Sequence, residues 1–147
     1  MIVSLLIIAV SVALFAYWFR YTCALILSTR TTRDYSGEFA AVNDLCFLEI
    51  QERLPSAGAS ELASLFRSLE NDYQRLEALS RQAGEIPVGS DTMEDLILRI
   101  DFQLMKAWYT ITRPVFTTAS RAALGEMTQI VAYVANTCGA RAAGVAD

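Results

Sequence analysis

The chain contains no histidine. That removes the commonest general base, the commonest zinc ligand, axial-histidine haem ligation and every Ser–His or Cys–His nucleophile pair. It also excludes the Glu-x-x-His sites of ferritin-like di-metal bundles. Cysteine is scarce: Cys23, Cys46 and Cys138 are widely spaced, odd in number and contain no C-x-x-C. They specify neither a disulfide framework nor a zinc site, and no metal or cofactor is expected. The seven glycines and three prolines form no phosphate-binding loop, dinucleotide fingerprint or calcium-loop pattern. Lysine occurs once, as Lys106, against eleven arginines, a bias expected of GC-rich coding in a bacterial source.

No acidic residue precedes Asp34. Residues 1–33 therefore carry a net +3, while nine basic against sixteen acidic residues give 34–147 a net −7. A body this acidic lacks the phosphate-neutralising face that a nucleic-acid partner requires. An anionic lipid leaflet should repel it as well.

What the chain does have is one long uncharged run, Ile2 to Phe19, inside MIVSLLIIAVSVALFAYWFRY. As a helix, Met1–Phe19 is about 28 Å long, close to the hydrocarbon thickness of a bilayer. A cleaved signal needs a basic segment before its apolar run and small residues after it; here nothing basic precedes Ile2, and the run ends in bulky rings. The reading is an uncleaved transmembrane helix. Arg20, Arg30 and Arg33 follow the run, so the amino terminus is expected outside and the body in the cytoplasm, at a bacterial inner membrane. Tyr17, Trp18 and Tyr21 suit the headgroup level, and Arg20 can snorkel there; with Arg30 and Arg33 they are the expected membrane-interface residues.

The rest reads as helices separated by stop signals. The expected organisation is an anchor with its interfacial extension at 1–27, a juxtamembrane link at 28–35, a helical bundle at 36–137 and a flexible tail at 138–147. The fold class is all-α: a single N-terminal transmembrane helix followed by a three- to four-helix antiparallel bundle. A first bundle helix is expected over 36–54, capped by Asp34 or Ser36, ended by Pro55 and carrying a Glu49–Arg53 pair. The second, over 61–83, has the clearest periodicity: Leu62, Leu65, Leu69, Leu76 and Leu79 form a seam, with Phe66 and Tyr73 beside it. Asp72 breaks that seam. Gly84, Pro87 and Gly89 signal its end, and Asp91 with Glu94 signals the start of the third. The fourth is expected over 117–136, after Pro114; continuity across Pro114 is open.

The third helix is apolar on two faces, one through Met93, Ile97, Ile100 and Leu104, the other through Leu98, Phe102, Met105 and Tyr109. Such a helix is either central to a bundle or docks a partner. The candidate docking residues are Leu98, Phe102, Met105, Trp108, Tyr109 and Phe116. Asp101 is expected on the polar stripe of this helix, and Glu126 carries the same ambiguity between stripe and core. No catalytic constellation is found. The expected function is a non-enzymatic, membrane-anchored accessory or scaffold subunit that contacts lipid through its N-terminal helix and holds a protein partner or assembly, with self-association open. The alternative is a small-molecule or lipid-binding sensor with a pocket near Trp108 and Tyr109.

Overall fold

The computed structural model describes residues 1–28, 33–83 and 93–144. Six helices and no strand occur among them. The chain forms two compact units, α1 (Ile2–Ser28) and a bundle of α2 (Ser36–Asn43), α3 (Phe47–Arg53), α4 (Ala59–Ala83), α5 (Met93–Thr112) and α6 (Thr117–Ala142). The fold class is all-α, with an N-terminal helix and a helical bundle.

Helix α1 is long and apolar enough to cross a membrane. No residue from Ile2 to Tyr21 is buried. Two of its hydroxyls are satisfied within the helix: Thr22 Oγ1 donates to the Trp18 carbonyl at 3.0 Å and Ser28 Oγ to the Leu25 carbonyl at 2.7 Å. Tyr17, Trp18, Arg20 and Tyr21 are exposed at its end. Arg33 bonds Glu38 at 3.3 Å and lies 5.1 Å from the centre of the Tyr35 ring. Arg30 lies outside the described residues.

The single helix expected over 36–54 is two helices. Asp44 adopts a left-handed conformation (φ 54°, ψ 51°) and ends α2, and Leu45 N–H returns to the Ala40 carbonyl at 3.0 Å. Aspartate tolerates this region better than most side chains do, so the break carries no glycine signal. Two residues of α4, one turn apart, satisfy the groups the break exposes. Asp72 accepts from the Cys46 N–H at 2.7 Å, at the start of α3, and Arg75 donates to the Asp44 carbonyl at 3.1 Å. The residue that spoils the α4 seam is thus the cap of a neighbouring helix. The N-cap position of α2 is Tyr35, which makes no side-chain cap bond, rather than the expected Asp34 or Ser36. Asp34, one residue earlier, accepts from Ser36 N–H at 2.9 Å, and the Glu49–Arg53 pair forms at 3.1 Å. Gly84, Pro87, Gly89 and Asp91 lie outside the described residues.

Helix α6, not α5, is the central helix. It packs against α2, α3, α4 and α5. Small residues make this approach close: Ser120, Ala123, Ala135, Gly139 and Ala140 are all buried on it. Tyr35 N–H donates to Asn136 Oδ1 at 2.7 Å, seating the start of α2 on α6. Arg121 donates to the Ala57 carbonyl at 2.9 Å, fixing the α3–α4 turn. The helix also runs on to Ala142, past residue 137, where the flexible tail was expected to begin; its last turns are held because Gly139 and Ala140 are buried. Across Pro114 the chain breaks rather than continues: Phe116 N–H bonds the Thr112 carbonyl at 2.7 Å, and α6 starts at Thr117.

Helices α4 and α5 meet through side chains in antiparallel register. Tyr73 stacks on Phe102 with ring centroids 3.8 Å apart, and Phe66 stacks on Tyr109 at 4.4 Å. Between and beyond these stacks, Glu70 pairs with Lys106, and Glu77 with Arg99 at 4.0 Å.

A Cβ added at Gly139 would lie 2.7 Å from Tyr35 Cβ and 3.2 Å from its carbonyl oxygen; at Gly125 the nearest atom is Leu54 Cδ2 at 3.4 Å. Gly139→Ala should therefore lose about 1–3 kcal/mol by overpacking despite its better helix propensity. Gly125→Ala should gain up to about 1 kcal/mol. Urea unfolding of the two variants measures both signs. For Asp72, burial raises the carboxyl above its ordinary value, against the opposing pull of the Cys46 and Phe47 N–H groups. A pKa raised by folding contributes stability below the unfolded value that is lost as pH rises through the folded one. Asp72→Asn keeps an acceptor and removes the ionisation, so the stability difference should shift in favour of the variant as pH rises above about 4, the ordinary carboxylate value. A difference independent of pH would contradict this.

Candidate interaction surface

Helix α5 is divided into three arcs by what each buries. The inner arc carries Leu98, Phe102 and Tyr109, all at most 2 % exposed, with Asp101 and Thr112 also buried. Met105 is half-buried. The polar arc is engaged with the neighbouring helices: Arg99 and Lys106 reach α4 and Asp95 lies 3.8 Å from Arg141; on the other flank of the inner arc Glu94 accepts from the Tyr133 hydroxyl at 3.4 Å. The outer arc carries Met93, Leu96, Ile100, Leu104, Trp108 and Ile111, which keep 44–74 % of their surface exposed. At 100° per residue these six fall within roughly 120° of the helix circumference. No charged side chain interrupts them. Val115 and Phe116, also exposed, extend the strip around the α5–α6 turn. There an open hollow of about 620 Å³ is lined by Val115, Phe116, Ala119 and Ala122 together with two threonines.

This corrects the expected docking set. Leu98, Phe102 and Tyr109 belong to the core, because the aromatic stacks with Tyr73 and Phe66 turn that face towards α4. Trp108 and Phe116 are on the exposed side. The helix is two-faced, as its sequence suggests, but the face left open is the one through Met93, Ile100 and Leu104. Trp108 and Tyr109 do not line one pocket: the first is half-exposed and the second is packed inside the bundle. Asp101 is fully buried rather than on the polar stripe, and Glu126 is half-buried.

The chemistry available elsewhere is limited. Burial raises the Cys46 thiol, helped by Asp72, Asp44 and Glu49, and raises Cys138 as well. Both move away from the reactive thiolate at neutral pH. Burial likewise raises the phenols of Tyr73 and Tyr109. Among the described residues no group of three or more Cys, Asp or Glu side chains is placed to hold a metal ion.

No protein-family model, curated protein or solved structure matches the chain. An uncharged apolar strip of this length is larger than the scattered exposed residues of an ordinary monomer surface.

The neighbouring aromatics on α5 make a direct test of the assignment of faces. Trp108→Ala should leave unfolding free energy within about 0.5 kcal/mol of the wild type, whereas Tyr109→Ala should cost about 3–5 kcal/mol. Equal losses in urea titrations would mean that Trp108 is also a core residue.

Proposed function

We propose that the chain is a membrane-anchored, non-enzymatic interaction protein. In this reading α1 spans the bilayer and the bundle α2–α6 presents the outer face of α5 to a protein partner as an accessory or scaffold subunit. The observation that carries the reading is the uninterrupted apolar strip from Met93 to Ile111 on a helix whose other faces pack on, or pair with, neighbouring helices. Burying such a strip is favourable at about 25 cal/mol per Å², and it lacks the charged residues that interface cores exclude.

The length and hydropathy of α1 support the anchor, and the arginines after it support a cytoplasmic body, as at a bacterial inner membrane. The upward shift of the Cys46 and Cys138 thiols and the absence of histidine support a role without nucleophilic or general-base chemistry. The net −7 of the body sets it against nucleic acid and against an anionic leaflet, which supports protein over either as the partner.

Native-size analysis of the full chain extracted from membranes in mild detergent tests this. The wild type is expected in an assembly larger than one chain, and Leu104→Glu with Ile111→Glu is expected to reduce it to single-chain size with unchanged helicity. An unchanged assembly, or a wild type already at single-chain size, would contradict the docking role.

A further inference from the structure

Resting on this reading of the α5 strip, we infer that its occupant is a second copy of the chain, with two α5 helices packed antiparallel about a two-fold axis. The spacing of the strip is the same read from either end. In an antiparallel pair Met93 lies opposite the partner's Ile111, Leu96 opposite its Trp108, and Ile100 opposite its Leu104. A two-fold interface demands this self-complementarity, because each contact must be made twice by one surface. The exposed polar residue nearest the axis is Gln103, which is uncharged, so the two copies meet without like-charge repulsion at the centre.

The size also fits. With large side chains offering about 150–250 Å² each, the six outer-arc residues from Met93 to Ile111 present roughly 700 Å² per chain. Two chains would bury about 1,400 Å², within the range of about 1,200–2,000 Å² for specific stable interfaces. Helix ridges of this kind pack at interaxial distances of about 8–10 Å.

Cysteine cross-linking in the full-length chain tests the pairing, with Cys23, Cys46 and Cys138 replaced by alanine and helicity confirmed. A short thiol cross-linker should couple Gln103→Cys to itself, giving a covalent dimer. Met93→Cys should not couple to itself, because the two copies of that position lie about 27 Å apart along the helices. The double variant Met93→Cys with Ile111→Cys should couple efficiently, and adding Leu104→Glu should reduce that product at least tenfold. Self-coupling at Met93→Cys would mean a parallel pair and would overturn the inference. So would the absence of dimer at every position. If the large assembly is nonetheless lost in the Leu104→Glu, Ile111→Glu variant, docking survives with a different protein as occupant. If instead Trp108 fluorescence, in a Trp18→Phe background, is quenched by brominated lipid in vesicles without any cross-linking, the strip faces the bilayer. That outcome overturns both the self-pairing and the protein-docking reading.

Discussion

The bundle depends on α6 being narrow enough to be touched from every side. Ser120, Ala123, Ala135, Gly139 and Ala140 bring the backbones of α2, α3, α4 and α5 close, and Leu124, Met127, Ile130 and Val131 fill the space between. A central helix takes up one face of each neighbour and no more. For α4 this is enough, since its remaining surface is charged. For α5 it is not, because the helix carries apolar residues on two faces and α6 with α4 can cover only one.

The consequences run outward from that constraint. The short helices α2 and α3 fit against α6 only because the chain breaks at Asp44, and the break is stable only because α4 places Asp72 and Arg75 against its exposed backbone groups. Burying the Asp72 carboxyl raises its pKa, the cost of using a charged group as a cap inside a protein. The stacks of Tyr73 on Phe102 and Phe66 on Tyr109 then fix the rotation of α5 about its own axis. Once that rotation is set, the strip from Met93 to Ile111 has nowhere to go but outward.

Much of this was legible in the sequence. The apolar run of α1, the leucine seam of α4 and both apolar faces of α5 follow from spacing alone, whereas Pro114 marks a kink or a break without saying which. What spacing does not contain is which face of α5 turns inward. Both faces have helical periodicity and similar bulk, and the choice rests on contacts such as Glu70 with Lys106, far apart in the chain. Local signals were silent at Asp44, where a left-handed residue is neither glycine nor asparagine. Asp72 was visible as an anomaly in the seam, but its partner, the Cys46 N–H, belongs to a helix start that no residue pattern marked. Asp101 misled because its neighbours Arg99 and Lys106 lie on the polar arc, while its own position falls between the outer and inner arcs.

Radical footprinting of the full-length chain most directly tests whether the outer face of α5 is the surface that the protein uses. Labelling is compared in the intact membrane and after extraction into detergent at high dilution. Met93, Trp108 and Ile111 should be protected in the membrane and at least severalfold more labelled once diluted, while Leu98 and Phe102 stay protected in both states. Equal labelling of Met93, Trp108 and Ile111 in the two states would contradict the assignment of this face as an interface.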